Sequence, residues 1–236
     1  MSEGLYFRQL LSGRDFAVGD PLAAQMVNFV YVVGDRESGE ALLVDPAYRP
    51  AELVEVVEAD GMKVIGALAT HYHPDHVGGM MAGLSIAGIA ELLDLIDVPV
   101  HVQASEVEWV TRCTGVGADA LVGHESGDQV QAGGVSVTLI HTPGHTPGSQ
   151  CLLVEQKLLS GDTLFLEGCG RTDLPGADPQ EMYVTLSQRL NAISDDTILY
   201  PGHFYASEPS AAMGEVRATN FVLAPSTPER WLAMFA

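Results

Sequence analysis

Residues 63–76 read KVIGALATHYHPDH, and the two halves of that stretch obey different rules. The first half, through ALAT, is a short apolar run of the kind that forms a buried strand. The second half sets His71, His73, Asp75 and His76 within six residues. A donor-rich loop therefore hangs on the carboxyl end of a strand, where α/β folds usually carry their function. Pro74 fixes its own backbone and pushes His73 toward an extended conformation. Alternation through His71 and His73 points both imidazoles to one side, and the next turn brings Asp75 and His76 to a neighbouring position. Two pairs of donors are more than one tetrahedral ion needs from one loop, because other segments usually supply part of its shell.

Outward from this stretch, similar runs recur at 26–34, 40–46, 99–105, 134–144, 149–155, 157–165 and 196–203, and each reads as a strand. Helical spacing marks 50–61, 85–97, 178–193 and 227–236, with Gly61 as a stop and Asp178 before Pro179 as a start. Strands and helices alternate with no low-complexity linker and no repeat, so one α/β domain of layered sheets spanning 1–236 is expected. Residues 80–98, rich in Met, Gly and Ala, read either as an ordinary helix or as a flap.

Composition narrows the function. The chain has 236 residues, 47% of them hydrophobic, enough for one sizeable core. Eleven Lys and Arg against thirty-one Asp and Glu give a net charge of −20, which repels phosphate backbones and anionic lipid. Neither a nucleic-acid partner nor a membrane is expected. The first twenty residues show no secretory pattern, and the longest uncharged apolar stretch, 77–90, is too short for a membrane span. Cys113, Cys151 and Cys169, odd in number and widely spaced, fit free thiols in a reducing cytoplasm.

Three further strand ends run into Gly or Pro and offer donors: His145 in HTPGHTPGS, Asp162 in LLSGDTLF and His203 in ILYPGH. Gly144, Gly161 and Gly202 precede them and permit a tight backbone. Seven donors divide naturally into two sites. His101 and His124 read as ordinary histidines, and His141 as a loop support. Tyr72, Tyr183 and Tyr205 could reach a pocket at these strand ends but read by default as aromatic packing, and Cys169 reads as a packed, inert thiol.

The order HxHxDH, His, GD, GH resembles the metallo-β-lactamase superfamily from about residue 20 to His203. HTPGHTPGS, GDTLF, GCGRTD and YPGH look most like its glyoxalase II and persulfide dioxygenase branch. The resemblance implies an αββα sandwich, two mixed sheets face to face with helices on the outer faces. It implies His71, His73 and His145 on one metal, Asp75, His76 and His203 on the other, and Asp162 bridging, so that Asp75 and Asp162 are the carboxylates of the catalytic centre. It also puts Arg171 near the anionic groups of a thiol substrate, although Arg171 and Asp173 could simply pair with each other.

A donor set of histidine and carboxylate suits zinc, iron or manganese, with two zinc ions the first expectation. Two ions bridged by Asp162 and a water would lower that water's pKa from 15.7 toward about 7, giving a hydroxide for an ester-like carbonyl. Hydrolysis of a thioester or ester, as in glyoxalase II, is the leading expectation, with a small molecule such as a thiol conjugate as substrate. Only thirty-three residues follow His203, too few for the helical domain with which glyoxalase II holds glutathione. The alternative is a persulfide dioxygenase with one iron on His71, His145 and Asp162, since two histidines and a carboxylate form the facial triad of oxygen-activating iron. The oligomeric state is open, a homodimer included.

Overall fold

The computed structural model describes residues 4–224 and 227–234. In chain order the strands are β1 (Leu5–Leu11), β2 (Phe29–Asp35), β3 (Glu40–Val44), β4 (Lys63–Leu68), β5 (Gly79–Met81), β6 (Leu84–Ile86), β7 (Val100–Gln103), β8 (Leu121–His124), β9 (Gln129–Ala132), β10 (Val135–His141), β11 (Gln150–Val154), β12 (Lys157–Gly161), β13 (Ile198–Pro201) and β14 (Ala211–Ala212). The helices are α1 (Pro21–Met26), α2 (Pro50–Ala59), α3 (Pro74–Val77), α4 (Ile89–Leu95), α5 (Val107–Thr114), α6 (Pro179–Val184), α7 (Met213–Thr219) and α8 (Pro228–Leu232).

Among the described residues the longer strands form two six-stranded sheets, ordered β1-β2-β3-β4-β7-β8 and β14-β13-β12-β11-β10-β9. Both are mixed. In the first, β3, β4, β7 and β8 run parallel to one another, while the pairs β1–β2 and β2–β3 are antiparallel; in the second, only β12 and β13 are parallel. Three apolar clusters define the layers. Tyr31, Val33 and Val44 of the first sheet meet Val137, Leu139 and Leu152 of the second, so the sheets face each other. Leu53, Leu92 and Val110 from α2, α4 and α5 pack with Leu43 and Val100 on the outer face of the first sheet. Met182, Val216 and Trp231 from α6, α7 and α8 cover Leu158 and Leu199 of the second. This is the expected αββα sandwich, and burial on both faces explains why β2 and β3 read as almost unbroken apolar runs.

Several boundaries move. The run 63–71 leaves the sheet at Leu68, so His71 sits three residues beyond the strand. The run 26–34 begins as the end of α1, capped by Asp20, whose carboxylate accepts from the amides of Leu22 and Ala23. The stretch 85–97 is not one helix. Leu84–Ile86 pairs with Gly79–Met81 about a two-residue turn, Ala82 (φ 50°) and Gly83 (φ 82°), and only Ile89–Leu95 is helical. The stretch 178–193 starts at Pro179 as expected, with Asp178 as its cap, and passes through a π-helical segment, Thr185–Arg189. Of 227–236, Pro228–Leu232 is helical and residues 235–236 lie outside those described. Strands β1, β8 and β9 and helices α5 and α7 were not legible: they are short or interrupted by polar residues, and neighbours in space decide them.

Candidate metal centre

The sandwich brings the carboxyl ends of β3, β4, β10, β12 and β13 to one edge. Backbone hydrogen bonds stitch that edge across the sheets: the Gln150 amide donates to Thr70 O at 2.9 Å and the Phe29 amide to Gly202 O at 2.8 Å. His73 is extended (φ −63°, ψ 145°), and Pro74 opens the one-turn helix α3 that carries Asp75 and His76. Gly161 has φ 49°, which frees the backbone to turn Asp162 inward directly after β12. Gly202 is there for space instead: a Cβ would stand 2.5 Å from Asp162 Oδ1 and 3.0 Å from His76 Cε1.

All seven donors converge, in two groups. His71 Nε2 and His145 Nε2 lie 3.0 and 2.9 Å from His73 Nδ1. His203 Nε2 lies 3.3 Å from His76 Nε2 and 3.4 Å from Asp75 Oδ2. Asp162 stands between the groups, with Oδ2 3.4 Å from His203 Nε2 and 3.7 Å from His145 Nε2, and Oδ1 3.4 Å from His76 Nε2. Within each of the triplets His71–His73–His145, His71–His76–Asp162 and Asp75–His76–His203 the donor atoms all lie within 4.8 Å of one another.

The outer ring nitrogens explain the orientation. His145 Nδ1 faces Arg171 O at 2.8 Å and His203 Nδ1 faces Met26 O at 2.8 Å. A carbonyl only accepts, so both rings carry a proton at Nδ1 and turn Nε2 inward. His76 Nδ1 faces Asp45 Oδ2 at 2.9 Å, and His71 Nδ1 faces Thr70 Oγ1 at 3.0 Å, whose own hydroxyl donates to Asp45 Oδ2 at 2.7 Å. Such outward partners orient metal-binding imidazoles and raise their basicity. Asp45 holds this post with φ 55°, a left-handed backbone kept in place by its amide bond to Leu68 O.

Electrostatics differ between the groups. Burial, with the neighbouring imidazoles, keeps His71 well below its usual range, and burial holds His73 down to about 4 and His145 below normal. These three are neutral at pH 7, and His73 Nδ1 can donate to only one of the two lone pairs facing it. At His76 and His203 burial also opposes charge, but Asp75 and Asp162 outweigh it and raise both. Asp162 is pushed up by burial yet pulled well below the carboxylate range by His203 and His76. Its Oδ1 is buried without a hydrogen-bond partner. Converging lone pairs, ionised carboxylates and an orphaned oxygen are what a bound cation satisfies. Nitrogen donors about 2.0 Å from a tetrahedral ion stand about 3.3 Å apart, close to the spacing seen. The residues present fit divalent metal.

The chain's sequence signals missed the supporting shell. Asn28 donates to Asp75 Oδ2 at 3.1 Å and accepts from Tyr48 Oη at 2.8 Å. Glu106, buried, accepts from Tyr72 N, Gly148 N and Thr146 Oγ1 at 2.7–2.8 Å, tying the loop after β4 to the loop after β10. Asp45 alone had a signal, a carboxylate closing the buried run ALLV just before Pro46. His141 Nε2 meets Pro147 O at 2.9 Å within its loop, and His101 and His124 pair with each other at 2.9 Å, outside the seven-donor cluster. Tyr205 corrects the packing expectation: it is 54% exposed and stacks on His203 at 4.6 Å and 8°.

The centre opens into a cleft of about 770 Å³, lined in part by Met80, Met81, Phe165, Cys169 and Arg171. Burial pushes the Cys169 thiol up to about 12, so it stays protonated. Arg171 stands at the cleft with its guanidinium on Asp173, at 2.9 and 2.8 Å. A groove of similar size, about 800 Å³, runs between α1, α2, β6 and α4, and none of the seven donors lines it. No described helix is long and apolar enough to cross a membrane.

Residues 24–203 match the metallo-beta-lactamase superfamily. The chain is 29% identical over 195 residues to the probable polyketide biosynthesis zinc-dependent hydrolase BaeB of Bacillus velezensis, covering 82% of this chain and 80% of that one. It is 31% identical over 198 residues to the human persulfide dioxygenase ETHE1, covering 81% and 70%. It is 34% identical over 182 residues to a hydroxyacylglutathione hydrolase of Polaromonas, covering 75% and 62%. The crystal structure of ETHE1 from Myxococcus xanthus superposes with a TM-score of 0.77 over 98% of this chain and 89% of that one, at 24% identity, which shows a shared fold.

Proposed function

The chain belongs to the metallo-β-lactamase superfamily, and from that premise we propose that it is a dinuclear metal-dependent hydrolase of thioester or ester-type substrates. The observation that carries the reading is that both donor groups are complete and share one carboxylate, Asp162, whose Oδ2 lies within 3.7 Å of a histidine from each. His71, His73 and His145 would hold one ion and Asp75, His76 and His203 the other, zinc first, with iron or manganese also suited to these donors. When bound, the ions would supply a hydroxide nucleophile at neutral pH and polarise the scissile carbonyl.

The chain's own residues do the positioning. Asp45, Thr70, Arg171 O and Met26 O hold ring protons outward, which keeps the inward nitrogens as donors. Asn28 holds the Asp75 carboxylate, and Glu106 fixes two donor loops against each other. Arg171, at the cleft, would orient an anionic part of the substrate remote from the reacting atom. The three cysteines are free thiols, which suits work in a reducing cytoplasm.

A second reading, a one-iron persulfide dioxygenase, is favoured by the human relative's identity and by the His71, His145 and Asp162 set. The two differ in their need for oxygen. The zinc- or manganese-loaded protein should cleave simple thioesters as fast under nitrogen as in air, and consume no oxygen with glutathione persulfide. Rapid oxygen uptake by the iron-loaded protein with a persulfide, while every thioester stays intact, would replace the hydrolase by the dioxygenase.

A further inference from the structure

The wall of the cleft is apolar where a substrate's remote part must lie. Met26, Met80, Met81, Phe165, Leu174 and Tyr205 line it. Met80 is 62% exposed, carried with Met81 on the β5–β6 hairpin, whose residues 80–82 line the cleft. An exposed unbranched thioether in a cleft that aromatic rings also line is a surface that gains by covering aliphatic chain, and methionine adapts its shape to varied chains. Charge points the same way. Among the described residues, Arg171 is the one Lys or Arg lining the cleft, and Asp173 takes its guanidinium fork. Glu167 lines the same wall. Arg189 is held by Glu181 and Thr185, and Arg217 by Asp195 and two backbone carbonyls. A substrate with two separate carboxylates, such as a glutathione conjugate, finds no second cation here, and the net charge of −20 opposes it further.

We propose that this site selects thioesters of apolar acyl groups, medium-chain or aryl, on a thiol bearing at most one anionic group, and that Met80 and Met81 set the preference. The proposal rests on the hydrolase reading. In the step, the oxygen of water bonds to the acyl carbon, the carbon–sulfur bond breaks, and a carboxylic acid and a free thiol result with no change of oxidation state.

The test compares kcat/KM of the metal-loaded protein for acetyl and octanoyl thioesters of N-acetylcysteamine, a neutral thiol, and for S-lactoylglutathione. Full burial of each added methylene corresponds to about fourfold, so an octanoyl preference of at least about tenfold is expected even with partial burial. S-lactoylglutathione should fall about tenfold or more below octanoyl, and the doubly substituted Met80→Ser, Met81→Ser protein should shrink the octanoyl-to-acetyl ratio by about fivefold. A ratio near one, an unchanged ratio in the variant, or S-lactoylglutathione as the better substrate overturns the proposal while leaving the hydrolase reading intact. Binding of the S-octyl and S-ethyl thioethers of N-acetylcysteamine, measured by calorimetry on wild type, separates the two ideas. If no thioester is cleaved, the hydrolase reading falls and the thioester selection with it; if thioesters are cleaved but the S-octyl and S-ethyl compounds bind equally, the selection alone is overturned.

Discussion

At the scale of single residues, four of the inward imidazoles, His71, His76, His145 and His203, are each held by a partner on the outer ring nitrogen. His203 shows the logic: Nδ1 is fixed on Met26 O at 2.8 Å, so Nε2 is left 3.4 Å from both Asp75 Oδ2 and Asp162 Oδ2. It touches the second group and not the first. Protein with His203→Ala, purified without added metal, should therefore drop from about two metal equivalents per chain to about one, read by elemental analysis. Retention of both equivalents would contradict the division of donors. The residue types and their order were legible in the sequence, because histidines next to Pro74, Gly144 and Gly202 signal shaped loops. Their partners were not, because Asp45, Asn28 and Glu106 look like any polar residue until the fold brings them within reach.

At the scale of elements, the donors sit on loops, and the strands beneath them decide where the loops begin. Glu106 shows how two such loops become one surface. It is 1% exposed, follows β7, and collects two amides and a hydroxyl from loops whose strands belong to different sheets. Burial raises its carboxyl above the ordinary range, although the three donors pull it back. Glu106→Ala leaves those three donors without their acceptor, each loss being of order 1 kcal/mol or more, so a destabilisation of about 3 kcal/mol is expected. Calorimetric melting of wild type and variant would show it, and a change within about 0.5 kcal/mol, as at ordinary surface sites, would mean water replaces the carboxylate. The β5–β6 hairpin marks the limit of pattern reading at this scale. Leu84–Ile86 lies in a stretch whose apolar spacing also suits a helix, and the turn at Ala82–Gly83 settles it in favour of a strand.

At the scale of the whole molecule, charge works against compactness. A net −20 on 236 residues stores mutual repulsion that salt screens, since the Debye length shortens from about 30 Å at 0.01 M to about 8 Å at 0.15 M. The local ion pairs, such as Arg14–Asp15 and Arg189–Glu181, are exposed or half-exposed and contribute little. The melting temperature of the metal-loaded protein should therefore rise between these two salt concentrations. A fall would mean that paired charges outweigh the net repulsion.

The sequence by itself determined the layered α/β pattern and the seven donors at strand ends. Both are local: strand and helix periods act over a few residues, and Pro74 and the glycines shape the backbone where they stand. The tertiary structure alone decided that Asp45, Asn28 and Glu106 stand behind the donors and that Tyr205 lies on His203. It also decided which proton each histidine keeps. The acceptor for His203 lies 177 residues away in the chain and arrives only when the two sheets close on each other, and that for His76 lies 31 away, beyond a neighbouring parallel strand, so no local pattern encodes either bond.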